Sequence, residues 1–293
     1  MRTFLCLMAM CMAILTVGTV HAEEGGAPVT NLAAMIEDVE VSVGVDYTTQ
    51  YFDRGILQED EGLIVQPWVE ATFPLTDEFF GFDNVKLTLG NWNSINDNNT
   101  GATDSPDNWF KSDLYMQLEA DIGDRIGVAT RYTYETSPSD AFSDLNEISV
   151  SSSYNDANHW GEDFDGLKPY VLIAFELGDN GLDGGREGIY GELGINPSFT
   201  LVESLPVELS IPVTLGLNLD GYYEAGAVGG EDVFGYLDIG GELSTPLSFV
   251  PGSVGAWKLH GGIHYLILGN DADDFNGGEG DEWIGTIGVS ASF

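Results

Sequence analysis

Cysteine is almost absent. Cys6 and Cys11 are the only two, and both fall within the first 22 residues. That stretch, MRTFLCLMAMCMAILTVGTVHA, has one cation, Arg2, and an apolar core from Phe4 to about Val17. It ends in the small-x-small pattern Val20-His21-Ala22. It reads as a secretory signal peptide, removed on export. No cysteine stands at the expected cleavage point, which argues against a lipid anchor there. The exported chain would hold no disulfide, so its stability must come from hydrogen bonding and burial.

Cations are scarce as well. Beyond the signal, eight Lys and Arg face 48 Asp and Glu, a formal charge of −40. Nucleic acid is excluded as a partner, because neutralising phosphates takes Lys and Arg. Cations are the natural counterions or passengers, and most of the charge would form a solvated surface. Long apolar runs are missing too. Beyond the signal no stretch approaches 18 apolar residues, so no membrane helix is expected.

Histidine is rare: His159, His260 and His264 remain. His260 and His264 share one strand face, but four residues of strand separate them by roughly 13 Å, too far to hold one metal. Both would face inward, which argues against a Ser-His hydrolase reaching lipid. No enzyme, no cofactor and no metal site is expected. The acidic loop 271–282 invites calcium, yet Phe275 occupies the third ligand position of an EF-hand register starting at Asp271. Weak calcium binding to its clustered carboxylates is the most it suggests.

What is abundant is alternation. In 41–51 the odd positions are Val41, Val43, Val45, Tyr47, Thr49 and Tyr51, with polar residues or Gly between them. In 207–219 every odd position is apolar. Period two means strand, and a helix would need 3.6. Twelve strands are predicted, at 41–52, 63–75, 84–93, 110–121, 125–136, 146–155, 167–178, 188–197, 207–219, 234–245, 256–268 and 282–293. Ordinary soluble strands run about 5–6 residues, whereas a tilted membrane-spanning strand needs about 9–11. The count is even, as in single-chain bacterial barrels. Odd-numbered connections are mostly long and acidic, such as 94–109 and 269–281, and even-numbered ones are shorter on average. The pattern predicts an all-β, transmembrane, antiparallel up-and-down barrel over 41–293, after the signal (1–22) and a periplasmic leader or short helix (23–40) capped by Thr30 or Asn31.

Aromatics sharpen this. On the outward parity, Tyr51, Tyr134, Tyr265 and Trp283 close the loop-side strand ends, and Phe73, Tyr154, Trp257 and Phe293 the turn-side ends. Two such rings are the interfacial girdles of a membrane barrel. The opposite parity would line the lumen with Asp46, Glu70, Glu119, Glu135, Glu147, Glu176, Glu192, Glu208 and Glu242. Lys86, Lys111, Arg131, Lys168 and Lys258 share it. A lumen of this kind favours small polar or cationic solutes. Twelve strands fall between a side-chain-filled interior and an aqueous channel, so a filled structural or surface-interaction barrel stands beside a porin-like one. A secreted soluble β-sandwich is the third reading.

At D46-Y-T-T-Q-Y-F-D-R54-G55-I-L-Q58 the sequence resembles the Gcw_chp family, uncharacterised bacterial outer-membrane β-barrel proteins. Those chains open, after a signal peptide, on an alternating strand that runs through Asp-Tyr and ends in Arg-Gly-x-x-Gln. Asp46-Tyr47 matches the first part, and Arg54, Gly55 and Gln58 the ending, with a longer spacing between the two. The resemblance implies an outer-membrane barrel and carries neither a substrate nor catalytic residues. Independently, Ile287, Val289, Ala291 and the terminal Phe293 alternate as in the final strand read by the barrel assembly machinery. The expected partners are therefore outer-membrane lipid, that machinery, and small solutes or cations. Arg54 is expected to clamp a loop against the wall at the mouth.

Overall fold

A computed structural model describes residues 39–97, 108–161, 164–178, 187–202, 206–225, 228–230 and 232–293. The expected signal peptide, its cysteines and the leader as far as residue 38 lie outside these residues, and Glu40 already belongs to the first strand. Twelve antiparallel strands close into a barrel. They are β1 (Glu40–Thr48), β2 (Ile64–Phe79), β3 (Phe82–Asn96), β4 (Trp109–Ile122), β5 (Ile126–Thr136) and β6 (Leu145–Tyr154). Then come β7 (Tyr170–Leu177), β8 (Ile189–Ile195 with Ser198–Val202), β9 (Val207–Ser210 with Val213–Asp220), β10 (Phe234–Pro246), β11 (Ala256–Leu268) and β12 (Asp281–Ser292). The first and last strands seal the cylinder, with Ser42 opposite Ser292 and Tyr47 opposite Ile287.

β8 and β9 are each interrupted where a proline removes a backbone donor, at Pro197 and Pro212. The gaps sit side by side. Ile211 N–H donates to Pro197 C=O, and Gly240 N–H to Pro212 C=O. The ladder thus continues around both prolines.

The side-chain period of two sorts the wall into two faces. Val45, Val69, Leu89, Leu114, Val150, Ile173, Leu193, Ile239, Ile263 and Ile287 are large, apolar and exposed. A soluble domain does not leave so wide a belt uncovered; a bilayer covers it. Tyr265 and Trp283 pack at 4.7 Å between ring centroids at the loop-side end of that belt. Phe293 is exposed at the turn-side end. No helix among the described residues is long and apolar enough to cross a membrane; the strands do the crossing.

Three expectations need correction. Tyr51 is not in the outer girdle but buried inside the barrel. The first strand stops at Thr48, and the bend at Thr49-Gln50 turns the chain inward. Lys168 is not on a strand. It has a left-handed φ of 52° in the connection ahead of β7, and its Nζ donates to Ser198 Oγ at 2.8 Å. The acidic loop 271–282 is not an open loop throughout, since Asn270–Phe275 forms a short helix, α1. Asp271 is buried there and accepts from the Asp232 N–H at 2.9 Å.

Candidate luminal site

The connection after β1 folds into the barrel as a hairpin. Tyr51–Asp53 pairs with Ile56–Glu59, leaving a two-residue turn of Arg54 and Gly55. Both have positive φ, 49° and 84°. That is the left-handed pair a tight hairpin with a right-twisted ladder requires. Gly55 meets it freely, and a Cβ there would come within 2.9 Å of the Tyr236 ring. Arg54 adopts it at a cost that its contacts must offset.

Those contacts cross the lumen. The Arg54 guanidinium donates through both Nη atoms to Glu147 on β6, with Nη2 2.7 Å from Oε1. It lies 4.5 Å from the Tyr190 ring centroid and 5.6 Å from that of Tyr222. Its carbonyl accepts from Tyr223 Oη at 2.7 Å. The neighbouring Asp53 pairs with Lys111 of β4 at 2.5 Å, and Lys111 also meets Glu135 at 2.5 Å and Asp113 at 3.7 Å. Burial raises the Asp53 pKa, but Lys111 and Arg54 outweigh it and hold the carboxyl below its ordinary value. Asn276 completes the mount: its side-chain amide donates to Gly55 C=O and accepts from Leu57 N–H, each at 2.7 Å. Ile56 enters an apolar cluster with Tyr190, Tyr222, Tyr223, Tyr236 and Leu266. Bidentate, charge-assisted bonds and apolar burial thus fix the hairpin.

The hairpin fills only part of the lumen. On the other side a cavity of about 620 Å³ remains, lined by residues including Asp46, Tyr51, Trp68, Glu70, Trp92, Asp113, Tyr115 and Arg131. Its aromatic rings lie flat against the wall because glycines stand beneath them. A Cβ on Gly44 would sit 2.4 Å from Trp68, and one on Gly90 would sit 2.2 Å from Tyr115. Tyr115 Oη donates to Glu70, and Arg131 stacks 3.6 Å from the Tyr115 centroid. Trp68 Nε1 donates to Asp46 at 3.1 Å, and His260 Nε2 meets the same carboxylate at 2.5 Å.

The remaining luminal carboxylates are placed separately. Glu192 accepts from Tyr170 and Tyr190, each at 2.7 Å. Glu242 and Asp238 bracket His264, at 3.1 and 2.9 Å. Glu176 accepts from Gly188 N–H at 2.7 Å. Lys86 and Glu119 line a smaller polar cavity of about 290 Å³ at the turn end with Gln117, Ser151 and Ser153. Glu208 and Lys258 are exposed. Among the described residues no group of three or more His, Cys, Asp or Glu could hold a metal.

Parity alone could have added Trp68, Trp92 and Tyr115 to the luminal set, since they share it with Glu70 and Lys111. Tyr222, Tyr223 and Asn276 sit in loops, where alternation says nothing.

No protein-family model and no curated protein matches this chain. Solved structures do. A bacterial polysaccharide outer membrane secretin is 10% identical over 87% of this chain and 97% of its own, with a TM-score of 0.45. The NanC porin is 10% identical over 86% and 98%, with a TM-score of 0.44. The transport unit of the autotransporter AIDA-I from Escherichia coli is 13% identical over 95% and 97%, with a TM-score of 0.43. These are low-identity likenesses and assign no solute.

Proposed function

We propose that this chain is a bacterial outer-membrane barrel that passes small polar or cationic solutes along one side of a partly filled lumen. One observation carries the reading: the space left by the hairpin runs along one wall. Ser149 of β6 lines the larger cavity, and Ser151 and Ser153 on the same face line the smaller one. On β4, Tyr115 lies above and Gln117 and Glu119 below. The two cavities thus occupy successive positions on the same strand faces, the smaller nearer the turn end. Carboxylates outnumber cations around it, which favours cations. Lipid would cover the apolar belt, and the assembly machinery would read the final strand ending at Phe293.

The competing reading is a filled barrel with a surface role, and the pinned hairpin favours it. Proteoliposomes separate the two. Heat-modifiable migration first establishes that the barrel is folded. Release of trapped small cations and neutral polar solutes, with larger solutes retained, is the expected result. Folded protein that releases none of them would leave the filled barrel.

A further inference from the structure

The larger cavity holds two kinds of unspent charge. Arg131 is a luminal guanidinium with no carboxylate within ion-pair distance among the described residues; it lies over the face of Tyr115. In a chain so poor in cations, a second luminal guanidinium, Arg54, is locked to Glu147. Glu70 shares the cavity with Arg131 and is tied to the same ring, through the hydroxyl of Tyr115. Its hydrogen bond occupies one oxygen, Oε1. Tyr115 therefore holds a guanidinium over its face and a carboxylate acceptor at its hydroxyl. Trp68 and Trp92 add aromatic surface.

We infer that this cavity is a binding site for a small zwitterion of the α-amino-acid type, its carboxylate on Arg131 and its ammonium on Glu70. A simple anion would be repelled by the acidic lining and the acidic loops. A simple cation would leave Arg131 unpaired and would face its charge. A molecule with both charges a few bonds apart satisfies both, and the aromatic faces take an apolar or ring-bearing side chain. The volume, about 620 Å³, is that of a small-molecule pocket, typically ~300–1,000 Å³. This deepens the proposed passage by naming a solute class. Binding can be measured without passage.

The test uses three probes of similar size: L-phenylalanine, phenethylamine with the cation alone, and 3-phenylpropionate with the anion alone. Each is titrated calorimetrically into the full-length folded protein in detergent micelles. L-Phenylalanine is expected to bind roughly tenfold or more tightly than either single-charge probe, as one lost charged hydrogen bond predicts. Arg131→Gln should abolish its advantage over phenethylamine. Glu70→Gln should abolish its advantage over 3-phenylpropionate. Arg131→Lys, which keeps the charge, should retain part of the first preference and covers the case in which the glutamine variant fails to fold. Equal affinity for all three probes, or no binding of L-phenylalanine at millimolar concentration, overturns the inference. Solute release with no such binding would overturn the site and leave the passage standing. Binding with no release would do the reverse.

Discussion

Replacing Arg54 by Ala removes the side chain that ties the hairpin across the lumen to Glu147. The Glu147 side chain is 5% exposed and that of Arg54 is 21% exposed. Breaking a fully buried ion pair costs about 3–5 kcal/mol. Lumen water reaches Arg54 and screens part of that, and the Tyr190 and Tyr222 stacking adds about 1 kcal/mol. Relief of the left-handed turn residue is small, because Ala keeps the same positive φ. The net expectation is about 2 kcal/mol off the docking of the hairpin, roughly a thirtyfold rise in its open population. The barrel itself should stay closed, since the strand ladders are untouched. Hydrogen exchange of the 51–59 amides is the direct assay, with the β2–β5 amides as the internal reference. A cycle with Glu147→Gln should show coupling of about 2 kcal/mol, within the range for contacting groups. Unchanged exchange in Arg54→Ala, or additive single variants, would refute the clamp and reduce Arg54 to a solvated cation of little worth.

Other perturbations test neighbouring steps. Gly90→Ala should push Tyr115 off the wall, costing about 1–3 kcal/mol by overpacking and narrowing the cavity; Gly241→Ala, where a Cβ meets nothing within 4 Å, is the control, and thermal unfolding with solute release compares them. The Asp53 pKa is depressed in the folded state, so its contribution is complete above the unfolded value of about 3.9 and lost as pH falls through the folded one. Hairpin protection, the exchange rate relative to the intrinsic amide rate at each pH, should be flat from neutral pH to about 5 and fall below about 4; a loss of protection already near neutral pH would contradict the Asp53–Lys111 mount. Deleting Phe293 should lower the amount of folded protein in the outer-membrane fraction, and unchanged levels would count against its role in assembly.

Much of the architecture was legible because lipid and lumen impose a strict period of two. The alternation of 207–219 marks β9 even though Pro212 interrupts its ladder, and the luminal parity of Glu135 and Glu147 follows from counting alone. The hairpin was not legible. Residues 53–62 are polar and acidic, like any mouth loop, and whether such a loop points out or folds in depends on groups distant in sequence: Lys111, Glu147, Tyr223 and Asn276. The sequence marked Arg54 as the place to look, and parity put it on the inside. It could not say that the partner lies across the lumen at Glu147. Nor could alternation show that Trp68 and Tyr115 lie flat, because that depends on Gly44 and Gly90 standing opposite them in neighbouring strands.

The central claim is a barrel whose lumen is narrowed, not closed, by an inward hairpin. Single-channel recording in planar bilayers tests it most directly. The wild-type protein should give small, cation-selective steps, and Arg54→Ala should give larger or more frequently open ones. Folded wild-type and Arg54→Ala proteins that are both silent would contradict the account, and so would steps identical in size and gating in the two.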